Sequence, residues 1–164
     1  MNESMVSFAA KYSDLIALKR TDQKLYFVGG VVRDIFLNRT HSDIDILVQG
    51  DSREIARMFA NHFDGAFFML DETRNTARVV VNKGADHLIY DFAQMQGKVI
   101  EEDLRLRDFT INAMAVDFDQ PDQVIDPLGG QEDLASHILQ ICSATSFSQD
   151  PVRVIRAIRY SISC

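Results

Sequence analysis

Four apolar residues, Leu25-Tyr26-Phe27-Val28, run directly into Gly29-Gly30, and Val31, Val32, Ile35, Phe36 and Leu37 follow at helical spacing. A short buried strand, a glycine turn and a two-turn helix are therefore joined without a linker. The next run, Asp43-Ile44-Asp45-Ile46-Leu47-Val48, reads as a second strand. After the turn at 49–52 comes a helix with Ile55, Ala56, Phe59 and Phe63 on one face, capped by Asp51 or Ser52. Three more strands are expected over 66–70, 77–82 and 88–93, parted by turn-like segments at 71–75 and 83–86. Links this short favour antiparallel neighbours. One strand–helix–strand unit followed by a meander predicts an α+β fold, a mixed and mostly antiparallel sheet with helices mainly on one side.

Flanking segments read as helical. Met5, Phe8, Ala9, Tyr12, Leu15, Ile16 and Leu18 recur at three and four, which predicts an amphipathic helix over 5–20 that packs on the following domain. A helical pattern runs from Ile100 through Ala115, breaks near Asp119-Gln120-Pro121 and resumes after Asp126-Pro127-Leu128-Gly129-Gly130. The last helix starts at Asp150-Pro151, with aspartate as N-cap and proline at the first helical position. It is still running at Cys164, which reads as a truncation. The expected division is a helix over 1–24, a main domain over 25–145, and the start of a further helical region over 146–164.

Composition narrows the function classes. With 46% hydrophobic and 25% charged residues over 164 positions, the chain has the make-up of one soluble globular domain. A net charge of -7 argues against a general basic surface for nucleic acid, so any such contact is local or lies outside this chain. Cys142 and Cys164 have no metal-ligand spacing, and His41, His62, His87 and His137 share none. No stretch approaches the roughly 18 apolar residues of a membrane helix, and Met1-Asn2-Glu3-Ser4 lacks the basic start of a signal peptide. A cytoplasmic protein with no membrane partner is expected.

The sharpest chemical signal is Asp43-Ile44-Asp45. Alternate strand residues lie about 6.7 Å apart and share a face, so both carboxylates point the same way. Like charges so placed repel unless cations neutralise them, and paired Mg²⁺ ions about 3.5 to 4 Å apart are their usual partners in phosphoryl and nucleotidyl transfer. The bland alternative is a solvated strand face. Glycines between strand and helix let backbone N–H groups approach phosphate oxygens, and Arg33 in the first turn adds a guanidinium that can grip a triphosphate. Their bland alternative is a tight turn. No Gly-Lys-Ser/Thr and no G-x-G-x-x-G is present, which excludes a Walker loop and a dinucleotide fingerprint.

Gly29-Gly30-Val31-Val32-Arg33-Asp34, then Asp43-Ile44-Asp45, then Arg107-Asp108-Phe109-Thr110-Ile111-Asn112-Ala113 form an ordered set. Asp126-Pro127-Leu128-Gly129-Gly130 and Asp150-Pro151-Val152-Arg153-Val154-Ile155-Arg156 extend it. From about Tyr26 onward the chain resembles the bacterial-type class II tRNA nucleotidyltransferases and their poly(A) polymerase relatives. The resemblance implies a polymerase-β-like catalytic head, followed in family members by neck, body and tail helices. It implies that Asp43 and Asp45 are catalytic and bind two Mg²⁺ ions, with Asp91 of Tyr90-Asp91-Phe92 as candidate third carboxylate. Gly29, Gly30, Arg33 and Arg107 would meet the triphosphate and Asp108 the ribose, with Asn112 one helical turn beyond it. Asp150 and Arg153 would read the edge of the incoming base, and Arg156 joins the nucleotide-binding set. The alternative for Asp150 is a plain helix cap, and for Arg153, Arg156 and Arg159 a solvated stripe. The chain departs from the family pattern at Gln96, Leu106 and Gln149.

The implied activity adds CMP and AMP from CTP and ATP to the 3′ end of an RNA, tRNA, with release of pyrophosphate. Poly(A) addition, split enzymes that add only CC or only A, and a non-catalytic nucleotide-binding regulatory module are the alternatives.

Overall fold

The computed structural model describes residues 5–163 apart from 22, 41, 42 and 85, so the expectations for His41 and for Cys164 fall outside the described residues, as does the side chain of Ile16. Seven strands form one sheet in the order β3-β4-β5-β2-β1-β6-β7: β1 (Leu25–Val28), β2 (Asp43–Val48), β3 (Ala66–Asp71), β4 (Thr76–Lys83), β5 (Asp86–Gln94), β6 (Ala115–Asp117) and β7 (Val124–Ile125). Among the described residues only β2 and β5 run parallel, and every other strand pairing is antiparallel. The α+β expectation holds. Among the described residues no helix is long and apolar enough to cross a membrane.

The two faces of the sheet follow from the period of two along each strand. Ile44, Ile46 and Val48 are buried on one face with Phe27, Val79, Tyr90 and Phe92. Helix α3 (Gly30–Phe36) and α4 (Ser52–His62) close this side. Asp51 caps α4 by accepting from the N–H groups of Arg53 and Glu54 at 2.9 and 3.4 Å, which decides between the two expected caps. The other face carries Asp43, Asp45 and Leu47. Near β1 it is covered by α5 (Ile100–Arg105), whose Ile100 and Leu104 pack with Tyr26, Val28, Leu47 and Ala115.

Two expected helices are corrected. The segment 5–20 forms two short helices, α1 (Met5–Ala10) and α2 (Ser13–Leu18). The break between them lets the Tyr12 ring meet Phe8, Phe27 and Tyr90 at centroid distances of 4.9, 5.2 and 6.1 Å. The pattern from 100 to 115 is not one helix either. It is α5, a 3-10 turn at Thr110–Asn112, and strand β6. Asp108 is the physical reason, since its Oδ1 accepts the N–H of Phe109 at 2.8 Å and offers the backbone an alternative to the helical bond. Phe109 then runs extended, and Ala115–Asp117 completes the edge of β1. The unforeseen β7 pairs with β6.

Three helices complete the chain: α6 (Gly130–Ala135), α7 (Ser146–Gln149) and α8 (Val152–Ser163). Helix α7 was not foreseen, and α8 begins one residue later than Asp150-Pro151 suggests. Asp150 still serves its start, accepting the Val152 N–H at 3.1 Å.

Candidate active site

One open cleft of about 1170 Å³ is lined by every predicted site residue: Gly29, Gly30, Arg33, Asp43, Asp45, Asp91, Arg107, Asp108, Asn112, Asp150, Arg153 and Arg156. The sheet places the first group. Val28 is registered with Asp45, and Asp45 with Asp91 on the other side, so Asp45 stands between the glycine turn and β5. Gly29 has φ +69°, and a Cβ there would lie 3.1 Å from Asp45 Oδ2 and 3.2 Å from Arg107 Nη1. Only glycine brings the backbone this close to both charged groups.

Burial pushes the Asp45 carboxyl above its ordinary value; Arg107 opposes that rise, while Asp91 and Asp43 add to it. Burial is the main cause of that rise, and a cation beside Asp43 and Asp45 would offset it. Asp91 is already served, because Arg78 donates to both its oxygens at 2.8 and 2.7 Å. Among the described residues no three acidic, histidine or cysteine side chains converge as a ready-made metal cluster. Asp43, exposed at the start of β2, and Asp45 line the cleft from one strand face, and their carboxylate oxygens are a donor set that could hold a divalent cation.

A second network binds the 106–112 segment to α3 and α8. Arg33 donates to Asp34 Oδ1 through Nε and Nη2 at 2.9 and 2.7 Å, and through Nη1 to Asn112 Oδ1 at 2.7 Å. Asp34 therefore orients Arg33 directly. Asn112 donates to Asp108 Oδ1 at 3.2 Å, and Arg156 Nε donates to Asp108 Oδ2 at 2.7 Å. Asp108 and Asn112 do meet, through an extended residue and a 3-10 turn where four-residue helical spacing was expected. Arg107 Nε is buried without a hydrogen-bond partner and lies 3.4 Å from Asp103 Oδ1.

Arg153 faces the same segment. It donates to the carbonyls of Arg107 and Leu106 at 3.2 and 2.8 Å and to Ser146 Oγ at 2.8 Å. These bonds fasten α8 to the open carbonyl end of α5. Tyr160 of α8, 5% exposed, accepts from Arg156 and Arg159 at 3.1 Å each, and its ring centroid is 5.1 Å from the Arg33 guanidinium.

Residues 25–140 match the poly(A) polymerase head domain. The chain belongs to that family. Against the CC-adding tRNA nucleotidyltransferase of Geobacter sulfurreducens it is 48% identical over 83% of its length, and against that of Synechocystis 40% over 80%. A solved structure, the Thermotoga maritima CCA-adding enzyme complexed with tRNA, superposes on 93% of the chain with TM-score 0.75 and 35% identity. This poly(A) polymerase head spans 31% of the length of each of those two sequence relatives and 35% of the solved chain.

Residues of this head that the sequence left unremarked include Arg78, Asp103 and Tyr160, all tied to predicted site residues. Arg78 was legible only through the β4/β5 register, which pairs it with Asp91. Its replacement by methionine leaves Asp91 unpaired beside Asp45. At a half-exposed position the expected loss is about 1 kcal/mol, read as a lower midpoint in chemical denaturation.

Proposed function

We propose that this chain is the nucleotidyl-transferring head of an enzyme that adds CMP or AMP from CTP or ATP to the 3′ hydroxyl of tRNA and releases pyrophosphate. The observation that carries the reading is the placement of Asp43 and Asp45 on one strand face, with Asp45 buried between Gly29 and Arg107 on one side and Asp91 on the other. The relatives named above support the chemistry. Residues 25–145 are the catalytic unit, 1–24 a helical brace on it and 146–164 the start of a neck, and the cytoplasm is the site of action.

Asp43 and Asp45 would hold the divalent metal, two Mg²⁺ ions, because a donor set of carboxylate oxygens suits a hard cation. When bound, the ions activate the attacking hydroxyl and offset charge on the triphosphate. Asp91, held by Arg78, supports Asp45 by register and as a neighbouring charge. Gly29 and Gly30 let the triphosphate lie against the backbone, and Arg33 and Arg107 face it with guanidinium groups. Arg107 Nη1 is the end of that guanidinium nearest the glycine turn, and Nε lies against Asp103. Asp108, fixed by Asn112 and Arg156, takes the ribose hydroxyls, and Asp150 with Arg153 reads the base. Arg153 then has two duties, since its bonds to the Leu106 and Arg107 carbonyls set the position from which it reads.

Arg153→Ala is therefore expected to raise UMP and GMP misincorporation by about tenfold relative to CMP and AMP, and to lower thermal stability as well. The ratio of products is insensitive to the amount of folded enzyme, so it isolates selectivity. An unchanged ratio counts against base reading. Asp150→Ala also removes a helix cap worth about 1 kcal/mol.

The relatives that are 48% and 40% identical are CC-adding enzymes, which favours addition of C alone as the second reading. Sequencing the products formed by the full-length protein on tRNA lacking part or all of its 3′ CCA separates CC, A, CCA and poly(A) addition. Calorimetry of CTP and ATP with and without Mg²⁺ tests the site itself. Absence of metal-dependent binding would overturn the proposal.

A further inference from the structure

The sheet face that bears Asp45 continues beyond the carboxylates. Asp45 is registered with Asp91, Asp91 with Arg78, and Arg78 with Phe68, so four side chains from four neighbouring strands stand in a row. At about 4.8 Å per strand, Phe68 lies about 14 Å along the row from Asp45. Phe68 is 51% exposed and Leu70 50%. Both sit on the side of β3 opposite Phe67 and Met69, which pack on the core. Arg74, in the β3–β4 turn, and Thr76, at the start of β4, line the cleft, and Arg78 and Phe68 stand beyond that lining on the same face.

The direction of chemistry assigns this face. In an in-line displacement the attacking and leaving oxygens lie on opposite sides of the phosphorus. With the pyrophosphate toward Gly29 and Arg107, the attacking hydroxyl arrives from the Asp91 side. The last nucleotides of the strand that carries it then lie over Arg78 and Phe68. We propose that the open face of β3 and β4 receives the single-stranded 3′ end of the RNA acceptor, with Phe68 as the surface on which a base stacks. The proposal rests on the nucleotidyl-transfer reading above.

Charge sets the character of this surface. The Arg78 guanidinium is matched by Asp91, and Asp71 and Glu72 flank Arg74. Stacking, not phosphate contact, therefore supplies the affinity. One phosphate contact on a single strand gives a salt slope of about -0.7, less than about a threefold loss between 50 and 200 mM salt.

The test is fluorescence anisotropy of a labelled hexaribonucleotide with a 3′-deoxy end, in CTP and Mg²⁺, with wild type, Phe68→Ala and Phe68→Trp. Calorimetry of CTP on the same preparations runs beside it. Phe68→Ala is expected to weaken RNA binding about tenfold. Phe68→Trp should restore it, CTP affinity should stay within about twofold throughout, and the salt dependence should be shallow. Equal RNA affinity in Phe68→Ala, or a steep salt slope, overturns the platform. So does self-association of the wild type that Phe68→Ala abolishes, because the face is then a protein interface. Wild type that binds CTP but no RNA overturns the platform alone; wild type that binds neither overturns the nucleotidyl-transfer reading with it.

Discussion

Asp45→Ala is expected to reduce nucleotide addition by at least about a thousandfold, roughly 4 kcal/mol of transition-state stabilisation, and Asp43→Ala by a comparable factor. Both carboxylates leave β2 on one face, and Asp91 is occupied by Arg78, so neither has a substitute among the described side chains of the cleft. Single-turnover rates measured in Mg²⁺ decide it. Turnover within tenfold of wild type in either variant removes that residue from the metal site. The fold should survive, and in one respect improve. Burial and the neighbouring acids raise the Asp45 carboxyl above its ordinary 3.8. A carboxyl with a raised folded value stabilises the fold while protonated, and that contribution is lost as pH rises through the folded value. At pH 7 without metal, Asp45→Asn is thus expected to melt at or above wild type, with the difference shrinking as pH falls toward 4. Thermal unfolding at several pH values measures this, and a variant that melts well below wild type at pH 7 contradicts it.

Gly130→Ala is expected to be the most damaging small substitution outside the carboxylates. A Cβ at Gly130 would run into the carbonyl oxygen of Thr110 and lie 3.1 Å from Met114 Cγ. The obstacle is backbone, so no side-chain rotation relieves it. Helix α6 is fixed to the same turn by the bond from Thr110 Oγ1 to Asp133 at 2.6 Å, and by Asp126, which accepts the Gly130 N–H at 2.7 Å. Overpacking of this kind costs about 3 kcal/mol, which for a chain of this size lowers the melting temperature by roughly 6 to 12 °C. Because Thr110 lies between Asp108 and Asn112 on the segment that holds both, nucleotide affinity should fall with stability. Calorimetric unfolding and CTP titration check the two effects. A wild-type melting temperature in Gly130→Ala would show that α6 moves away from Thr110 without penalty.

Much of this protein is legible in its sequence. Strands β1 and β2, the glycine turn and α4 follow from apolar runs, period-two alternation and an aspartate cap, all of which are local. The pairing of Asp43 with Asp45 is likewise a property of one strand. Helical spacing misled at 100–115, because apolar residues over three or four positions suit a helix or a strand equally. There the open edge of β1 and the Asp108 bond to its own neighbour decided the outcome.

What the sequence by itself determined, then, is a part of the inventory: strands β1 to β5 with α3 and α4, the two carboxylates that share a face of β2, and the glycine turn beside them. The tertiary structure alone decided the partners. Asp91 stands beside Asp45 only because β2 and β5 run parallel in that register, and Arg78 neutralises Asp91 only because β4 is their next neighbour. Arg156 meets Asp108 across 48 residues of chain, and Arg153 reaches the Leu106 carbonyl at the end of α5 across 47. Such contacts join segments whose separation along the chain carries no local signal. The sheet register and the docking of α8 fix them, and those are set by how the whole apolar surface is buried at once.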